Sequence, residues 1–125
     1  MTGPDTLAKM QDTLDAAWAA AEVPEYPRMC MDLAVSEIGS NIIEHSGGGQ
    51  PVRIRMVVTV GPETISVVLD DDGRAVAPDL TVAAMPEELS ERGRGLAIVH
   101  RVMDRVRYSR DHDGNHWTLM RRRSE

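Results

Sequence analysis

The chain is poor in cysteine, in long apolar runs and in repeats, and each scarcity closes off a class of protein. Cys30 is the only cysteine among 125 residues. An internal disulfide is therefore excluded, and a reducing, cytoplasmic setting is expected, with Cys30 as a small buried hydrophobe. No stretch approaches the roughly 18 apolar residues of a membrane span, and no basic-then-apolar leader opens the chain. The expectation is a soluble, intracellular protein. Neither low-complexity tracts nor an interdomain linker interrupt it, since Ser46-Gly47-Gly48-Gly49 is long enough only for a loop. The formal net charge of -6 argues against general nucleic-acid binding. What remains is one domain over 1–125, large enough to bury about two-thirds of its unfolded surface.

Periodicity predicts an α+β order. Leu7, Met10, Leu14, Ala17, Trp18 and Ala21 recur at helical spacing over 5–22. Pro24 and Pro27 punctuate, and a second helix is predicted from 28 to 45, stopped by the glycines. Val52 to Val60 alternates with Arg53 and Arg55 as a half-buried strand, and Gly61-Pro62 turns into a second strand, Thr64 to Leu69. A loop over 70–93 leads to a third helix over 94–104. Strands near 105–110 and 116–121 then flank an Asp113-Gly114 turn. This order predicts a two-layer sandwich, its helices packed on one face of a mixed, mostly antiparallel sheet.

Three segments carry chemistry. On the second helix Met31, Ala34, Val35, Ile38 and Ile42 share an apolar arc, while Glu37, Asn41 and His45 form a row along its flank. At the lip of the core a carboxylate can take a proton from a hydroxyl. One turn on, a carboxamide oxygen is a hard, neutral ligand for Mg²⁺. The strand ending at Leu69 delivers Asp70-Asp71-Asp72-Gly73, whose carboxylates can accept from an exocyclic amine such as that of adenine. Gly93 and Gly95 open into the apolar run from Leu96, so free amides and the helix dipole there suit an anion, with Arg92 and Arg94 adding charge. Singly, these segments fit a polar helix flank, a turn and an ordinary helix start. Their order and spacing suit a Mg-nucleotide.

Other readings are narrower. His45, His100, His112 and His116 lie mainly on separate elements, which excludes a metal hydrolase. Residues 101–123 hold seven arginines against three aspartates, either a solvated strand and tail or a surface for an acidic protein partner. The loop over 74–92 is either a lid on the nucleotide or a mobile surface loop.

Leu33 to His45, Asp71-Asp72-Gly73-Arg74-Ala75 and Gly93 to Val99 resemble the N, G1 and G2 boxes of the GHKL (Bergerat-fold) ATPases. The small size and the short segment between the last two boxes resemble the RsbW/SpoIIAB-type anti-sigma factor serine/threonine kinases in particular. The resemblance implies Glu37 as general base, Asn41 as Mg²⁺ ligand, Asp71 as adenine-recognising carboxylate and Gly73 beneath the base. It places Ala75 in the nucleotide site where relatives carry glycine or serine. Arg92, Gly93, Arg94, Gly95 and Leu96 fall at the phosphates, and His116 where relatives often carry a threonine near the adenine. Relatives often begin with an edge strand, whereas here the first helix follows almost at once. The implied activity is transfer of the ATP γ-phosphate to a serine or threonine of a STAS-domain anti-anti-sigma protein. In its other partnership such a protein, usually a homodimer, holds a sigma factor inactive. Two rival classes remain: a binding module that sequesters partners without turnover, and a histidine-kinase catalytic fragment. The second lacks a phosphoacceptor-histidine hairpin in this sequence.

Overall fold

A computed structural model describes residues 2–3, 5–43, 51–73 and 90–124, with the backbone alone for 90–95. In chain order the elements are α1 (Thr6–Ala20), α2 (Glu25–Asn41), β1 (Ile54–Val60), β2 (Thr64–Asp71), α3 (Ser90–Val102), β3 (Arg105–Asp111) and β4 (Gly114–Arg122). The four strands form one antiparallel sheet in the order β1-β2-β4-β3. The three helices pack against one of its faces, as the predicted α+β sandwich requires. No parallel pairing occurs among the described strands.

Alternation decides what faces the helices. Ile65, Val67 and Leu69 of β2 and Trp117 and Leu119 of β4 are buried with Met31, Ala34, Val35, Ile38 and Ile42 of α2 in a single core. Leu14 of α1 and Leu96 and Val99 of α3 complete it. By the same period of two, Asp71 and Asn115 point to the helix side, while Ser66, Asp70, His116 and Thr118 point away. At the crossing of α1 with α2, a Cβ on Gly39 would sit 2.8 Å from the Met10 sulfur, so the small residue permits the close approach.

Element ends differ from the periodic reading where local chemistry permits it. The second helix begins at Glu25, because Pro27 falls in its first turn, where a missing N–H costs nothing. The last turn of α2 widens to π-type geometry at Ile42-Ile43, and His45 lies outside the described residues. Strand β2 runs through Asp70 and Asp71 rather than releasing them into a loop, since both pair on both sides. The β3–β4 turn centres on His112-Asp113, with Gly114 taking the positive φ of 130°.

The arginine-rich end is spent internally only in part. Arg123 donates to the Glu22 carbonyl through Nε and Nη2 (3.0 and 2.6 Å) and to that of Gly61 through Nη1 at 3.1 Å. Arg121 donates to the Val102 carbonyl at 3.0 Å and lies 5.1 Å from the Tyr26 ring centroid. Arg101, Arg105 and Arg107 remain exposed. No helix among the described residues is long and apolar enough to cross a membrane.

Candidate nucleotide site

The end of β2 carries the most specific chemistry of the structure. Asp71 is 3% exposed. Its Oδ1 accepts the Gly73 backbone N–H at 2.8 Å and the Asn115 Nδ2 at 2.9 Å. Its Oδ2 is buried and has no hydrogen-bond partner among the described residues. A buried carboxylate oxygen without a donor is costly, and such a group in a native structure calls for a ligand, a water or an ion. A single amine hydrogen is the complement of that oxygen, so the residues present fit an adenine base.

Three further residues build the surroundings. Asn115, fully buried, pairs in register with Asp71 across the β2–β4 ladder. Its Oδ1 accepts from the Tyr108 hydroxyl and from Arg110 Nη1 at 3.0 Å. Arg110 Nη1 also donates to the Gly73 carbonyl at 2.8 Å, so the turn after Asp71 is tied to β3 as well as to β4. The Tyr108 ring in turn lies against Trp117, with centroids 4.7 Å apart. None of Tyr108, Arg110 and Asn115 was singled out from sequence. The signal was present in the alternation: Asn115 shares its parity with the apolar Trp117 and Leu119.

Asp71 and Gly73 are thus brought together in one network. Glu37 and Asn41 come from α2, one turn apart, the former half-buried and the latter 7% exposed. Asn41 therefore sits deeper than the flank position its spacing suggests. The carboxamide oxygen is a donor type Mg²⁺ accepts. Ala75 lies outside the described residues.

His116, expected beside the adenine, is on the other face of the sheet. Its Nδ1 meets Asp70 Oδ1 at 2.6 Å and its Nε2 meets Asp111 Oδ1 at 2.9 Å. The bonds to Asp111 and then Asp70 raise its pKa to about 9, and the same contact holds the Asp111 carboxyl below its ordinary value. The period-two geometry of β4 makes this unavoidable, because Trp117 next door is buried in the core.

The glycine-rich helix start also shifts. Helix α3 begins at Ser90, so Gly93 and Gly95 lie within it rather than before it. Ser90, Glu91 and Arg92 tolerate helical geometry, and the cost of two helical glycines, about 1 kcal/mol each, is offset by packing of Leu96 and Val99. The residues that precede Ser90 lie outside the described ones, and the start of the described helix is the end towards which its dipole attracts an anion. Arg92 and Arg94 lie on the same first two turns, and the Leu96 side chain is spent on the core.

The chain belongs to the histidine kinase-like ATPase domain family, whose model matches residues 2–121. It is a GHKL-type ATPase domain related to the catalytic domains of histidine kinases. Among solved structures it is similar to the blue-light activated histidine kinase of Erythrobacter litoralis, with TM-score 0.64 and 18% identity over 95% of this chain and 42% of that one. The histidine kinase domain from the same protein gives TM-score 0.60 and 20% identity over 80% of this chain and 46% of that one. This chain thus spans less than half the length of those structures, and at such identity the likeness concerns the fold. No curated protein matches the chain at a significant level.

Proposed function

We propose that this protein binds Mg-ATP and transfers its γ-phosphoryl group to a serine or threonine of a STAS-domain anti-anti-sigma protein. In its other partnership it holds a sigma factor inactive, as a cytoplasmic homodimer. The observation that supports ATP is the buried, unsatisfied Oδ2 of Asp71 at the end of β2. The resemblance of the three sequence boxes, with the short segment between the last two, supports the protein-serine reading.

Each residue then has a task. Asp71 accepts from the adenine amine above Gly73, with Ala75 following in the same segment. The amides that open α3, with Arg92 and Arg94, face the phosphates. Asn41 would hold Mg²⁺, which when bound offsets phosphate charge. Glu37 takes the proton of the incoming hydroxyl as its oxygen bonds to the γ-phosphorus, and ADP leaves with the electrons of the broken P–O bond. Calorimetry with ATP and Mg²⁺ tests the site: Asn41→Ala should weaken binding about tenfold or more. Equal affinity, or none in either protein, refutes it. Labelled ATP with a STAS-domain protein tests the acceptor, and the label should appear on that protein's serine or threonine.

A second reading is favoured by the solved structures to which the fold is similar, both from a histidine kinase. There the chain would supply nucleotide binding to a histidine phosphoacceptor. Label on a histidine supports it, and absent label with intact partner binding supports a non-catalytic binding module.

A further inference from the structure

Asp71 offers a base one oxygen, not two, and the reason lies in the donors that already hold the other. A carboxylate oxygen has two lone-pair positions. Those of Oδ1 are both filled, by the Gly73 N–H at 2.8 Å and the Asn115 Nδ2 at 2.9 Å. The orientation of the Asn115 amide is not free to reverse. Arg110 can only donate, and its Nη1 lies 3.0 Å from Asn115 Oδ1, so the amide oxygen must face Arg110 and the NH₂ must face Asp71. The same Nη1 donates to the Gly73 carbonyl at 2.8 Å, which holds Arg110 in place beside Asn115. Donors therefore run in one direction, from Arg110 through Asn115 to Asp71 Oδ1, and leave Oδ2 as the sole acceptor.

We infer that Asn115 is the positioning residue for base specificity, set in its orientation by Arg110 and Tyr108. This rests on the ATP site proposed above and goes beyond it. A single fixed acceptor matches one exocyclic amine hydrogen. It mismatches a hypoxanthine, which puts a carbonyl oxygen where adenine has its amine. It also mismatches guanine, whose adjacent N1–H and N2–H₂ need both oxygens of a carboxylate. The specificity is thus built by occupying half of the aspartate, and the occupying group comes from a strand 44 positions further along the chain.

The test compares ATP and ITP binding by calorimetry in the full chain, for the wild type, Asn115→Asp and Tyr108→Phe. The wild type should prefer ATP by about tenfold or more, with an affinity flat between about pH 5.5 and 8. Asn115→Asp keeps the shape but turns the donor into an acceptor, so two carboxylates must share a proton. Its ATP preference should collapse towards unity, and its affinity should acquire a pH dependence, rising as pH falls. Tyr108→Phe removes only a hydroxyl from Asn115 and keeps the ring against Trp117, so it should fold and lose part of the preference. That variant decides the matter if Asn115→Asp does not fold. A wild type that binds ATP and ITP equally, or folded variants with unchanged preference and flat pH profiles, overturns the role of Asn115 alone. A wild type that binds no nucleotide overturns the ATP site and this role together.

Discussion

Gly114 shows how little room the site leaves at the residue scale. It holds φ 130°, and a Cβ there would overlap the Asp71 carbonyl oxygen directly. No L side chain adopts that backbone without strain. Gly114→Ala should therefore cost about 3 kcal/mol in urea denaturation and, on the proposed function, weaken ATP binding as well, because the atom it strikes belongs to Asp71. A variant with wild-type stability and affinity would contradict that geometry. Asp71 itself was legible: it follows Ile65, Val67 and Leu69 at a period of two, and Gly73 behind it marks the turn. Asn115 was legible by the same alternation, yet an asparagine between a glycine and a histidine carries no chemical signal of its own. His116, the more conspicuous residue, drew the expectation to the wrong face.

At the scale of elements, the end of the sheet is pinned from both faces. On the helix side Asn115 ties β2 to β4 and Arg110 ties β3 to the turn after Asp71. On the other side His116 bridges Asp70 of β2 and Asp111 of β3. With both ring nitrogens on carboxylates, the imidazole is held protonated, its pKa raised to about 9. A raised folded pKa means that the native state binds the proton more tightly than the unfolded chain. The contribution is then complete below the ordinary histidine value of 6.5 and lost as pH rises through about 9. Asp111 acts oppositely, its lowered pKa giving stability that disappears on acidification below its ordinary value of 3.8. Urea midpoints measured between about pH 5 and 10 should fall across the alkaline part of that range in the wild type. His116→Gln should flatten this fall, and an unchanged slope would remove the bridge as its source. The helices were the most readable elements, because apolar spacing at 3.6 residues survives uncertainty at the ends. Helix α3 was misplaced by four residues because glycine pairs suggest a hinge, whereas packing of Leu96 and Val99 carries the helix back to Ser90.

Across the whole molecule, Arg123 joins parts that are far apart in sequence, bonding Glu22 between α1 and α2 and Gly61 between β1 and β2. Arg123→Ala should lower stability by about 1–2 kcal/mol in chemical denaturation without altering the ATP-to-ITP preference. Arg123→Lys should recover little, since an ammonium cannot reproduce three planar bonds to two carbonyls. The terminal run of three arginines reads in sequence as either a solvated tail or a docking surface; in the fold, Arg121 and Arg123 donate to backbone carbonyls. The amino-acid order alone determined the helix faces, the strand alternation and the class of sandwich, and through the family resemblance it nominated Glu37, Asn41 and Asp71 for the proposed nucleotide site. These depend on local periodicity and side-chain chemistry. Only the tertiary structure decided that β2 lies beside β4, that Asp71 stands opposite Asn115, and that one carboxylate oxygen is consumed while the other waits. Such pairings span tens of residues, and local pattern cannot choose among registers that the packed core alone distinguishes.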